Sequence, residues 1–516
     1  MAESFAKVVI NMIYRAFEHV FGCVKGSGHA NLPSPITWGR GAMPSKLPIW
    51  GAIAIVIATL LLAWAIIPNL HPPPKDEAVA DQFPNDQFPS TYKPLPSRPI
   101  VIRGATVLTG TDRELANASI LLQNGKIVAI GAKVPEPPDS VVINGRGKFV
   151  TPGIIDIHSH LGVYPSPANE ATSDGNEATK PTTPEVRSEN SVWPQDPGFT
   201  RALAGGVTTM EILPGSANLI GGRSVVLKNV PSVTTQGMKF PGAPYDLKMA
   251  CGENPKRVYG EKGGPQTQMG NVAGYRAAFE KATEYREKWR KYWKSKGGDK
   301  PDRDIGMETL ALVLDKKIPV QMHCYRGDQM ATMIDVAKEF GFRIAAFHHA
   351  TEAYKVADLL KKNHICAVMW ADWWGFKMEA YDAVPEGLAM VDHAGACATI
   401  HSDDPIGIQR LNQEVAKAMA AGRRMGYRIT RAHAVTWMTR NPAYALGILN
   451  QTGTLEKGKM ADVVLWDTDP LSVYAHAEKV FIDGALLYDR DNPKISPRSD
   501  FELGQEFNGS TGGAGQ

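Results

Sequence analysis

The chain has no Cys-x-x-Cys pair, and its five cysteines, Cys23, Cys251, Cys324, Cys366 and Cys397, are odd in number and widely spread. That argues against a disulfide framework and against a thiolate zinc site. It also lacks an excess of charge of either sign. Lys and Arg together number 56 against 53 Asp and Glu, so there is no basic field of the kind that recruits nucleic acid. Apolar residues are not lacking: they make up 43% of 516 residues, enough for a large core spread over two or three domains.

One apolar run stands apart. "IWGAIAIVIATLLLAWAII", from Ile49 to Ile67, carries no charge over nineteen residues, and as a helix it rises about 28 Å, close to the hydrocarbon thickness of a bilayer. Lys7, Arg15, Lys25, Arg40 and Lys46 precede it against Glu3 and Glu18, which puts the N-terminus in the cytoplasm by the positive-inside rule. The expectation is a leader over 1–46 with an interfacial helix, a transmembrane anchor over 47–68, and an extracytoplasmic C-terminal bulk attached to the membrane. A cleaved signal, giving a secreted protein, and a buried core helix are the rival readings. Residues 69–98 are dense in proline and read as an extended linker.

From Pro99 the texture is β-rich. "IVIRGATVLTG", "ASILLQNGKIVAIG" and "SVVINGRGKFVTPG" are short runs separated by turn signals, among them Asn124-Gly125. "GTLEKGKMADVVLWDTDP" and "EKVFIDGALLYDRD" return to the same texture near the other end, so 99–150 and 452–492 are expected to build one β domain. Between them, over 151–451, apolar runs such as "IPVQMH", "RIAAFHH" and "ICAVMW" alternate with helical stretches. That alternation is what a parallel sheet covered by helices requires, and eight such repeats fit a (β/α)₈ barrel, an α/β fold. A charged insertion over 275–303 reads as an added helix with a solvated face, and 493–516 as a disordered tail.

In a barrel, chemistry collects where strands end in loops. The run from Ile154 ends in His158 and His160; "DLKMA" carries Lys248; "IPVQMH" ends in His323; "RIAAFHH" ends in His348 and His349; "ATIHSDD" ends in His401, Asp403 and Asp404. One histidine at a strand end is commonplace, but four strands ending alike are not explained by core packing. In a strand, residues two apart point the same way, so His158 and His160 can present two imidazoles to one ion. Imidazole and carboxylate together suit Zn²⁺, Mn²⁺, Co²⁺ or Fe²⁺.

These motifs, with "VTPGIIDIHSH", "ALAGGVTT", "PVQMHCYRGDQM", "HHATEAYKVAD", "IHSDDP" and "GTLEKGKMADVVLWD", resemble the amidohydrolase superfamily, in its imidazolonepropionase-like and prolidase-like branch. The resemblance implies a deformed (β/α)₈ barrel beside a β-sandwich, and a divalent metal site, zinc above others, for a hydrolase acting on carbon–nitrogen bonds, peptide bonds among them. His158 and His160 would bind the more buried ion, and His323 and His349 a second. His349 directly precedes "ATEAY", where the family ligand stands, which sets it ahead of His348. Asp403 matches the strand-eight aspartate, a ligand and also the catalytic proton carrier. Lys248 falls where two-metal members carry a carboxylated lysine bridge, and two ions are expected if it is carboxylated. The spacings are consistent: His323 to His349 is 26 residues, His349 to Asp403 is 54, and the 75 from Lys248 to His323 contain the insertion.

The expected reaction is attack of a metal-activated hydroxide on the amide of a small molecule: a dipeptide, an N-acyl amino acid or a cyclic amide. A lactone or ester hydrolase, and a non-catalytic binding protein on the same barrel, are the alternatives. Tyr325 and Arg326 in "HCYRGD" are candidates to meet a substrate carboxylate or carbonyl, with a surface salt bridge as the other reading of Arg326. Trp373, Trp374, Phe376 and Tyr381 in "ADWWGFKMEAYD" read as an aromatic wall or lid, or as ordinary packing under a long loop. Asn218 and Arg223 lie in a Gly-rich stretch whose phosphate-binding signal is weak, and Cys324 reads as a packing bystander. Homo-oligomerisation is compatible with all of this.

Overall fold

The computed structural model describes residues 83–495 apart from 169, 296, 297 and 493. The β domain begins with strands β1 (Ile100–Leu108), β2 (Glu114–Gln123) and β3 (Lys126–Gly131) in an antiparallel meander. Asn124 and Gly125 connect the last two at φ 52° and 74°, the positive values that a two-residue hairpin turn demands. Strands β4 (Val141–Asn144) and β5 (Phe149–Pro152) lie parallel to β1.

The barrel then opens with β6 (Ile154–Ser159) and β7 (Val207–Ile212), parallel neighbours. The next stretch, β8 (Ile220–Arg223) and β9 (Val225–Lys228), differs from expectation. β9 runs antiparallel to β7, and β8 antiparallel to the following strand, β10 (Leu247–Ala250). From there β11 (Val320–His323), β12 (Ile344–His348), β13 (Cys366–Met369) and β14 (Cys397–Ile400) continue in parallel. The third barrel position is thus filled by a segment running against its neighbours. "SVVLK" is apolar on both faces, and such a run reads the same in either direction.

Helices cover the barrel where the 3.6-residue spacing of apolar side chains places them, at Gly327–Phe340, Ala357–Asn363, Gly387–His393 and Leu411–Arg424. The chain returns to the β domain as β15 (Val463–Trp466), β16 (Ala477–Ile482) and β17 (Ala485–Asp489). β15 pairs with β5, so both ends of the chain supply the domain. The expected sandwich is hydrogen-bonded as one sheet of eight strands, with Ile102, Val107, Ile120, Val463, Leu465 and Phe481 in its core.

The described part of the expected linker does not run free. Phe83 is buried against Tyr285, Trp289 and Trp293 of the inserted helix Gln268–Ser295. Lys239 donates to Asp86 Oδ1 at 2.9 Å and to the carbonyl of Phe88 at 2.6 Å. Tyr92 donates to Asp483, which also accepts from the fully buried Lys228 at 2.6 Å. Lys228 is held as well by Asp462, so one ammonium at the end of β9 is shared by two carboxylates of the β domain. Burying that cation is tolerable because it is fully paired.

Two expectations are corrected. The cysteines do pair: Cys251 with Cys324 and Cys366 with Cys397. Separations of 73 and 31 residues show no motif in the sequence. The barrel register supplies what spacing hides, since Cys251 and Cys324 follow the adjacent strands β10 and β11, and Cys366 is the direct register partner of Cys397. Cys324 is therefore a crosslink beside His323, not a packing bystander. The second correction concerns the membrane. The run expected as an anchor over 47–68, with the leader before it, lies outside the described residues. Among the described residues no helix is long and apolar enough to cross a membrane, and the anchored, extracytoplasmic placement is withdrawn.

The barrel and the β domain are also clamped by a titrating group. His433 Nδ1 faces Asp112 at 2.5 Å, in the turn between β1 and β2, and its Nε2 faces Asp392 at 2.8 Å. The bond to Asp392, then its charge and that of Asp112, push this imidazole up to about 9 against the opposing effect of burial. Its stabilising contribution is complete below the ordinary histidine value near 6.5 and is lost as pH rises through about 9. At an imidazole 36% exposed, solvent screening limits the gain to about 1 kcal/mol. His433→Gln is expected to lower stability in urea unfolding at pH 6 and to converge with wild type near pH 10; an equal deficit at both pH values would contradict the clamp.

Candidate active site

The site lies at the C-terminal ends of the barrel strands. His158 is fully buried at the end of β6, and its Nε2 stands 3.3 Å from Nε2 of His160. His160 Nδ1 is 2.9 Å from the carbonyl of Leu213. A carbonyl only accepts, so that nitrogen carries the proton and the His160 Nε2 lone pair is free. Asp403 Oδ1 lies 3.3 Å from His158 Nε2 and 3.2 Å from His160 Nε2. Three of the expected ligands thus converge on one point.

What brings Asp403 there is a residue the motif reading passed over. Asp156, which interrupts the apolar run of β6, is fully buried and accepts from the backbone N–H of His158 and of Ser402, both at 3.2 Å, and from the Ser402 hydroxyl at 2.5 Å. The N–H of Asp403 then donates to the carbonyl of His158 at 3.0 Å, with Asp403 itself at φ 58°. Burial pushes the Asp156 carboxyl up to about 7 against the pull of these hydrogen bonds. The polar interruption of β6 could have drawn attention to it in the sequence.

A second convergence involves His158, His349 and His401, whose ligand atoms lie within 4.8 Å of one another. His349 sits just past β12 at φ 60°, which turns its ring away from its neighbour. His348, still in the strand, points elsewhere, its Nδ1 2.8 Å from His158 Nδ1. His401 was noted as a strand-end residue but not chosen, yet it is fully buried with neither ring nitrogen hydrogen-bonded. His323 packs its ring 4.6 Å from that of His349 and belongs to neither group. Lys248, fully buried on β10, donates to the carbonyl of Pro214 at 3.0 Å.

Burial holds the imidazoles of His158, His323 and His349 well below their ordinary value and takes that of His401 down to about 3. Burial also brings the Lys248 ammonium down to about 8, which makes the neutral amine accessible near physiological pH. At Asp403 burial pulls upward, but His349, His160 and His401 outweigh it and hold the carboxyl well below the carboxylate range. Neutral imidazoles with inward lone pairs around one ionised carboxylate form a donor set for a divalent cation. Among the described residues, His323 Nδ1, His349 Nδ1 and both ring nitrogens of His401 are buried without a hydrogen-bond partner, which supports the same fit.

The two substrate candidates separate. Tyr325 is buried, its ring stacked on His349 at 5.5 Å and edge-on to His323. Arg326 is half exposed and bonds Asp328, so it stands outside the site. The cation at the mouth is Lys377, 4.2 Å from the Tyr325 ring centroid and bonded to Asn254 and Glu253. Glu379 accepts from the N–H of Glu253, so the loop after β13 is latched to the loop after β10. Within it Trp370 stacks on His349 and Trp373, while Trp374, Phe376 and Tyr381 are largely exposed. Asn218 and Arg223 are structural: Asn218 donates to the carbonyls of Glu177 and Lys180, and Arg223 is buried against Thr309 and the carbonyl of Asn85.

Comparison with known proteins gives a consistent picture. The family model described as "Amidohydrolase family" matches residues 149–487. Among curated proteins, "Amidohydrolase tasK" of Hapsidospora irregularis is 33% identical over 432 residues, 76% of this chain but 43% of that protein, so the chain spans less than half of that relative's length. An imidazolonepropionase of Mesorhizobium japonicum is 22% identical over 378 residues, covering 68% of this chain and 86% of its own length. Among solved structures, an amidohydrolase from Thermotoga maritima MSB8 superposes with a TM-score of 0.71 at 37% identity, covering 76% of this chain and all of the other.

The placement of His401 and Arg326 leads to a paired expectation. His401→Ala should weaken binding of a divalent metal, measured by competition with a chromophoric chelator, by on the order of 10–100-fold, and Arg326→Ala should leave it unchanged. Wild-type affinity in His401→Ala would remove that residue from the site.

Proposed function

Because the chain belongs to the amidohydrolase family, as a hydrolase acting on carbon–nitrogen bonds, we propose that it cleaves the amide of a small substrate with the help of a divalent metal, zinc before other ions. The observation that carries this reading is the convergence of His158 Nε2, His160 Nε2 and Asp403 Oδ1 within 3.3 Å of one another. His158, His160, His323, His349 and Asp403 are the proposed ligands, and His401 would complete the second grouping. Lys248 would contribute once its neutral amine has reacted with carbon dioxide to give a carbamate, which would allow two ions.

A divalent ion held there would lower the pKa of water towards 7 and polarise a carbonyl oxygen. The remaining work falls to the chain's own groups. Asp403, kept ionised by the surrounding imidazoles, would take the proton of the attacking water at Oδ and return it to the leaving nitrogen. The phenol of Tyr325, kept protonated by burial, can donate a hydrogen bond to a substrate oxygen. Trp370 and its neighbours on the latched loop close one side against water. A dipeptide, an N-acyl amino acid and a cyclic amide all carry a scissile amide, and substrate choice would rest with these loops.

The test is metal analysis of the purified protein, followed by hydrolysis assays on these three substrate classes, and on lactones, with and without chelator. Chelator-sensitive amide hydrolysis is expected, with Asp403→Asn lowering kcat by about 10²–10⁴-fold. Intact-mass measurement should show one carbon dioxide on the wild type and none on Lys248→Ala. Hydrolysis that survives both chelation and Asp403→Asn would sink the mechanism, and cleavage confined to lactones would move the reading to an ester hydrolase.

A further inference from the structure

His348 is fully buried beside His158 and belongs to neither group of converging ligand atoms. Its two nitrogens are both engaged, Nδ1 with His158 Nδ1 at 2.8 Å and Nε2 with Gln321 Oε1 at 2.8 Å. The protons in this chain can be assigned from chemistry alone. An amide oxygen accepts and never donates, so His348 Nε2 carries a proton. In a neutral imidazole the other nitrogen is then an acceptor, so the Nδ1 proton between the two rings belongs to His158. It follows that His158 Nε2 bears the lone pair, and Nε2 is the atom that stands 3.3 Å from both His160 Nε2 and Asp403 Oδ1.

The amide of Gln321 turns its Oε1 to His348 Nε2, and its Nε2 faces away from that ring without a hydrogen-bond partner among the described residues, on the side where the Asp246 carboxyl lies. All four residues are buried, His158, His348, Gln321 and Asp246 each being fully inaccessible, so water does not compete for these bonds. If the amide were reversed, every proton in the chain would shift by one place and His158 would present an N–H, not a lone pair, to the site.

Resting on the ligand reading proposed above, we infer that His348 is a positioning residue that fixes the tautomer and ring angle of His158 for metal binding, with Gln321 setting His348 in turn. His348 touches neither substrate nor ion; it acts through His158. A supporting partner of this kind raises ligand basicity and costs affinity when removed.

The test uses the full chain, stripped of metal, with Zn²⁺ affinity read by chelator competition, the absorption spectrum of the Co²⁺-loaded protein, and thermal unfolding of the metal-free form. His348→Phe keeps a ring but offers no acceptor, and should weaken Zn²⁺ binding by on the order of 10–100-fold and alter the Co²⁺ spectrum, with metal-free unfolding near wild type. His348→Gln, whose amide oxygen can accept from His158, should recover most of the affinity. Gln321→Leu should weaken binding several-fold, and adding it to His348→Phe should cost nothing further, because the two act in series. Should His348→Phe not fold, Gln321→Leu and His348→Gln carry the comparison. Wild-type affinity in His348→Phe, or equal losses in His348→Phe and His348→Gln, would overturn the positioning role alone. A wild-type chain that binds no divalent metal would instead overturn the ligand reading on which the role rests.

Discussion

The site depends on a single buried carboxylate. The strands β6 and β14 are the two ends of the barrel wall, and they fall in different sheets, with no ladder between them. Asp156 spans that gap by gathering three hydrogen bonds, one from its own strand and two from Ser402. A buried carboxylate is costly unless its oxygens are satisfied, and here the groups that satisfy it belong to opposite ends of the wall. Closure of the barrel and placement of Asp403 beside His158 are therefore one event.

The rest of the barrel supports this arrangement from two directions. Beneath the site, the buried chain from His158 through His348 to Gln321 fixes which ring nitrogen faces inward. Around it, covalent and ionic ties hold the strand ends. The Cys251–Cys324 bond joins the segments just past Lys248 and His323, and the Cys366–Cys397 bond ties β13 to β14 below His401. At the mouth, Lys377, Glu253 and Glu379 latch two loops together. The pattern is of a polar floor under an aromatic rim, which suits a site that must hold its donors fixed.

Much of this was legible in the sequence, because the signals were local. The H-x-H pair follows from strand periodicity, and the strand ends pointed to the neighbourhood where His349 and Asp403 stand 3.9 Å apart, while His323 falls outside both groups of converging atoms. The Asn124-Gly125 turn and the two-ended β domain were likewise visible. What was hidden depends on which strands become neighbours. The cysteines showed no motif because their pairing is set by the ladder between β13 and β14 and by the adjacency of β10 and β11. The antiparallel course of the apolar run "SVVLK" beside β7 was hidden because hydrophobicity carries no direction. Arg326 looked like a substrate anchor by adjacency to Tyr325, but Asp328 two residues on holds it, and the ammonium over the Tyr325 ring belongs to Lys377, on a loop some fifty residues further along the chain. The apolar run near the N-terminus was the clearest local signal of all, and the described part of the fold gives the anchor no support.

The central claim is that these converging atoms hold a divalent ion. It is tested most directly by anomalous diffraction at the zinc edge from crystals of the protein grown without chelator. The account predicts a peak about 2.0–2.2 Å from His158 Nε2, His160 Nε2 and an Asp403 oxygen. No peak at that point, or one bound only at surface side chains, would contradict it.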